Sequence, residues 1–81
     1  VLVIAADFFV NQILLALRAA NIPPSAAVWY VGDTGTDMEA ARAAGVTAVL
    51  VGDAAHDGGV AALAPDLHFA DAHALADALK G

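Results

Sequence analysis

Cysteine is absent from this chain, which excludes a disulfide framework and any thiol nucleophile. A reducing compartment is therefore permitted, and the cytoplasm is the expected location. Positive charge is scarce as well. Arg18, Arg42 and Lys80 stand against nine acidic side chains, for a net charge of -6. Neither a phosphate backbone nor an anionic membrane surface would be drawn to such a chain, so neither nucleic acid nor membrane is an expected partner. Val1 to Ala6 is too short to cross a bilayer and lacks the basic flank of a signal peptide. There is no initiating Met, and the sequence is expected to be a fragment or a processed piece. Polar material is thin too, with 15% charged residues against 60% hydrophobic ones. Eighty-one residues make a single small domain, and one of that size hides only roughly 60% of its unfolded surface. Part of the apolar surface should therefore be covered by something outside this sequence, although exposed alanine accounts for some of the excess.

What is present centres on Val28-Trp29-Tyr30-Val31-Gly32-Asp33-Thr34-Gly35-Thr36-Asp37 and the residues after it. Four apolar residues in a row, β-branched and aromatic, suit a strand buried on both faces. Thr36 and Glu39 have the spacing of a capping box, which predicts a helix over 36–44 with Gly45 as its left-handed stop. The unit is strand, acidic turn, helix. Both aspartates then lie at the carboxyl end of the strand, where open α/β sheets bind their ligands.

The same alternation runs through the rest. Val1 to Ile4 reads as a buried strand. Asn11 to Ala20 reads as a helix with Ile13, Leu14 and Leu17 on its inner face. Asn21 can close that helix in the left-handed region, and Pro23-Pro24 forbid its continuation. A third strand, Ala48 to Val51, ends at Gly52-Asp53. Ala54 to Gly59 reads as a polar turn, with Asp57 expected to cap a short helix, Val60 to Ala64, that Pro65 cuts off. Leu67 to Phe69 could form a brief edge strand. Asp71 should cap a last helix whose Leu75 and Leu79 face inward, with Lys80 at its negative end. The fold class is α/β: one domain, residues 1–81, with a parallel sheet and helices on its faces.

Asp33 and Asp37 are the candidate site. Two neighbouring carboxylates repel unless a cation lies between them. Mg2+ suits the place, because it takes one or two carboxylates and completes its shell with waters and substrate phosphates. The hydroxyls of Thr34 and Thr36 could steady the carboxylates or meet a phosphate oxygen. On spacing alone, an Asx turn at Asp33 and a favourable helix-start charge at Asp37 explain the pair equally well. Asp53 reads as a turn residue, His56-Asp57 as a solvated turn, and His68 and His73 as surface residues. Trp29 and Tyr30 are packing residues first. Gly32 and Gly35 do not make a dinucleotide-binding fingerprint.

Val31-Gly32-Asp33-Thr34-Gly35-Thr36-Asp37-Met38-Glu39-Ala40-Ala41-Arg42-Ala43-Ala44-Gly45 resembles the fourth motif, Gly-Asp-x-x-x-Asp, of the haloacid dehalogenase-like (HAD) hydrolases, and most closely their phosphoglycolate phosphatase-like branch. Leu14 to Ser25 resembles the helix and Pro-Pro turn before that motif, and Thr47 to Gly52 resembles the strand after it. The resemblance implies the C-terminal half of a Rossmann-like HAD core and a Mg2+-dependent phosphatase acting on a small phosphorylated metabolite. It makes Asp33 a direct metal ligand and Asp37 its support, with Thr34 a weaker candidate for orienting the substrate site. The family's nucleophile motif, Asp-x-Asp-Gly, does not occur here. The motif Lys should precede the first helix, yet Asp7-Phe8-Phe9-Val10 stand there and Lys80 is the one lysine. A second chain or a further segment is expected to complete the core. Val1 to Ile4 should then leave a gap in the sheet or pair differently from the family's order. The alternative is a non-catalytic α/β binding module that keeps the back half of the fold. A receiver-like domain would need a lysine after a later strand, which is lacking.

Overall fold

Alternating apolar runs and helical patterns give four parallel strands with connecting helices. The structure, a computed structural model, describes residues 2–5 and 10–80. In order these are β1 (Leu2–Ala5), α1 (Val10–Ala19), β2 (Val28–Gly32), α2 (Gly35–Ala44), β3 (Thr47–Val51), a 3-10 turn (Ala55–Asp57), α3 (Val60–Leu63), β4 (Leu67–Phe69) and α4 (Ala72–Lys80). The sheet order is β1-β2-β3-β4, every neighbouring pair parallel. The α/β class expected from the alternation is what forms. The two options for the first strand resolve toward direct pairing: Leu2 stands beside Val28 and Val3 beside Trp29, with no gap. No helix among the described residues is long and apolar enough to cross a membrane.

Side chains alternate across a strand, so each face of the sheet reads off the register. One face carries Val28 and Tyr30 from β2 with Ala48 and Leu50 from β3. It is buried against Ile13 and Leu17 of α1 and Met38, Ala41 and Ala44 of α2. The opposite face carries Val3, Trp29, Val31, Val49 and Phe69. There the rings of Trp29 and Phe69 lie 6.3 Å apart and tilted, as packing residues should. Val49 is fully covered, whereas Trp29 and Val31 are half-buried and Val3 is 38% exposed.

Two apolar side chains leave the positions expected of them. Leu14 is 39% exposed, because it stands about 80° round the helix from the middle of the stripe that Ile13 and Leu17 define. Leu79 is 44% exposed, since α4 packs chiefly on the three-residue edge strand β4. The punctuation residues act as expected. Asn21 adopts φ 58 at the end of α1 and Gly45 φ 78 at the end of α2. Asp71 Oδ1 accepts the Ala74 N–H at 2.9 Å, capping α4. Arg42 closes α3 from outside, its Nη1 donating to the Leu63 and Ala64 carbonyls at 3.0 and 3.4 Å.

Candidate functional site

The site grows from the carboxyl end of β2, an inner strand flanked by β1 and β3. Two residues, Asp33 and Thr34, join it to α2. The helix starts at Gly35 with Thr34 as its N-cap, so the expected start at Thr36 is corrected. The box that forms is Thr34 with Asp37, not Thr36 with Glu39. Thr34 Oγ1 accepts the Asp37 N–H at 3.2 Å and donates to Asp37 Oδ2 at 3.0 Å. Asp37 Oδ2 also accepts the backbone N–H groups of Asp33 (3.1 Å) and Thr34 (3.3 Å). A carboxylate that takes three donors outcompetes the Glu39 box two residues later.

Gly32 makes room for this. A Cβ added there would overlap the Asp37 side chain. The strand therefore ends on glycine so that Asp37 can fold back under the loop.

The two aspartates accordingly have different tasks. Asp37 is half-buried and spends Oδ2 on the loop. Asp33 is exposed, and no described residue donates to its carboxylate. It lines a cleft of about 220 Å³ with Thr34, Gly52, Asp53, His56 and Asp57, at the carboxyl ends of β2 and β3. Asp37 does not line that cleft. The pair meets through the Asp33 N–H, which donates to Asp37 Oδ2.

Sequence reading missed the part played by Asp57. Its Oδ2 accepts the Gly35 N–H at 2.8 Å, across 22 residues of chain. The expectation that Asp57 caps the helix after it is overturned: α3 has Gly59 at its N-cap position and no side-chain cap bond. Gly58 and Gly59, at φ 91 and 92, turn the chain away before α3 begins. The carboxylate reaches the first free amide of α2 instead. A helix start leaves such amides without partners, but local sequence does not say which distant acid will satisfy them.

The remaining candidates fall where expected. Asp53 Oδ1 accepts the Ala55 N–H at 3.0 Å as a turn residue. His68 is exposed on β4 with Nε2 2.6 Å from the Gly52 carbonyl oxygen. Arg18 sits in the last turn of α1, at the opposite end of the sheet. Asp7, Phe8 and Phe9, where the resemblance places the motif lysine, lie outside the described residues.

No three acidic or histidine side chains among the described residues stand close enough to hold a cation by themselves. The donor set nonetheless fits part of a Mg2+ shell: one free carboxylate on a fixed loop, beside a cleft with room for water and a phosphate. The loop amides are not free for an anion. The N–H groups of Asp33, Thr34, Gly35 and Asp37 are all taken by side-chain oxygens. Four of the five amides from Asp33 to Asp37 are thus occupied, which leaves the start of α2 little capacity for an anion and favours a cation as the holder of a phosphate here.

Residues 7–78 match the family described as HAD-hydrolase-like. No curated protein and no solved structure matches the chain.

Proposed function

The chain belongs to the HAD-hydrolase-like family, and on that premise we propose that it is the C-terminal portion of a Mg2+-dependent phosphatase. Its substrate in this reading is a small phosphorylated metabolite of the phosphoglycolate type, and its reaction is hydrolysis of a phosphoric monoester. One observation carries the reading: no described residue donates to the carboxylate of Asp33, while the amides of Asp33, Thr34 and Gly35 are tied down.

Asp33 would hold the Mg2+ directly. Asp37 would support it from behind, since Oδ2 already fixes the Asp33 and Thr34 amides. Mg2+ at this position supplies a Lewis acid that offsets phosphoryl charge. Thr34 orients the site through its hydroxyl, which both receives from and donates to Asp37. The nucleophilic aspartate and the motif lysine are to come from a second chain or a further segment facing this cleft. Neither Asp-x-Asp-Gly nor a lysine other than Lys80 occurs in the chain. Cytoplasmic location belongs to the same reading and accords with the lack of cysteine.

The test is a melting-temperature series with and without Mg2+, run beside p-nitrophenyl phosphate hydrolysis. The reading predicts that Mg2+ raises the melting temperature of the chain, that Asp33→Asn removes the rise, and that the chain alone does not turn over. A chain indifferent to Mg2+ and inactive with any partner is instead the non-catalytic binding module.

A further inference from the structure

We propose that Asp57 is a positioning residue for the metal-binding loop, a role resting on the reading of Asp33 as the Mg2+ carboxylate. Three consecutive amides, those of residues 33, 34 and 35, each donate to a carboxylate oxygen. Asp37 takes the first two from the first turn of α2. Asp57 takes the third from the far side of the cleft, at 2.8 Å, the shortest of the three. The loop is thus held from both sides. Asp37 alone would leave the Gly35 amide without a partner.

The contact also sets the cleft itself. Asp33 and Asp57 both line it, one on the β2–α2 loop and one on the 3-10 turn after β3. The bond between Gly35 and Asp57 joins those two walls. Gly35 is tightly placed, since an added Cβ would lie 3.1 Å from Leu63 Cδ2. The 3-10 turn is braced in its own right, with the Asp57 and Gly59 N–H groups donating to the Ala54 carbonyl at 2.9 Å. Asp57 therefore stands on a built turn and reaches the loop through one carboxylate oxygen. Groups that orient a metal ligand without touching the metal commonly govern affinity as strongly as the ligand's own surroundings do.

The bond needs an oxygen acceptor at that place, not a charge. Asn keeps the acceptor without the charge; Glu keeps the charge but moves the acceptor outward; Ala removes both. The experiment uses the whole 81-residue chain, labelled with 15N, and reads the Gly35 and Asp33 amide signals during titration with Mg2+ alone. The wild type should show a protected Gly35 amide and a saturable shift at Asp33. Asp57→Ala should unprotect Gly35 and raise the Mg2+ midpoint on the order of tenfold. Asp57→Asn should restore both to near the wild type, whereas Asp57→Glu should not. If Asp57→Ala fails to fold, the contrast between Asn and Glu decides alone. Equal midpoints in the wild type and Asp57→Glu overturn the proposal, and so does Asp57→Asn binding as weakly as Asp57→Ala, which would mean that an acceptor without the charge does not suffice. A wild-type chain whose Asp33 signal ignores Mg2+ overturns the metal reading, and the role of Asp57 with it.

Discussion

Gly32 is the residue on which the candidate site turns, because its lack of a side chain lets Asp37 reach back under the loop. Gly32→Ala places a methyl where Asp37 now lies and should cost about 1–3 kcal/mol, the usual penalty of overpacking. Urea unfolding reads the loss, and the Asp33 and Thr34 amides should lose protection in the same variant. Thr34→Ala removes the N-cap of α2 and should cost about 1 kcal/mol by the same measurement. Asp33→Asn should leave stability nearly unchanged, since no described residue donates to that carboxylate. This difference between neighbouring residues was only half legible in the sequence. Spacing put Asp33 and Asp37 close together, but it gave a distance without a direction. The direction came from the missing Cβ of Gly32, a contact between strand end and helix that no periodicity encodes.

At the scale of elements, the strands and helices were legible because each is bounded by residues with a local mechanism. Asn21 and Gly45 both take the left-handed region, and Asp71 caps α4. The start of α2 was misplaced by two candidate boxes two residues apart. The sequence of each is adequate, and the competition is settled by what else Asp37 Oδ2 can accept. Asp57 illustrates the other limit. Its partner lies 22 residues away, so its role depends on how two loops meet. Gly45→Ala tests the left-handed stop. An added Cβ there would lie 3.8 Å from Pro24 Cβ, an ordinary contact, so the cost is in the backbone. It should be about 1–2 kcal/mol, seen as a lower urea midpoint with an unchanged slope.

On the scale of the whole molecule, the sheet is unevenly covered. On the face toward α1 and α2, Tyr30, Ala48 and Leu50 are at 0% exposure. The other face leaves Trp29 and Val31 half-buried and Val3 38% exposed on β1, an outer strand of the described sheet. The large apolar share of the composition anticipated incomplete cover, but it could not say which face would lack it. An apolar outer strand favours association of one chain with another. Sedimentation of the chain should show concentration-dependent self-association, and Val3→Lys should reduce it. Equal association in the variant would exclude β1 as the contact.

These scales meet at a single free carboxylate on a loop whose amides are already taken. Mn2+ substitutes for Mg2+ on hard oxygen ligands and broadens the amide signals near it. Titrated with Mn2+, the 15N-labelled chain should lose the signals of Asp33, Thr34 and Gly52 first, while Asn21 and Ile22 at the opposite end of the sheet persist. Asp33→Asn should abolish that order. Broadening spread evenly over the acidic surface, or unchanged in Asp33→Asn, would contradict the account.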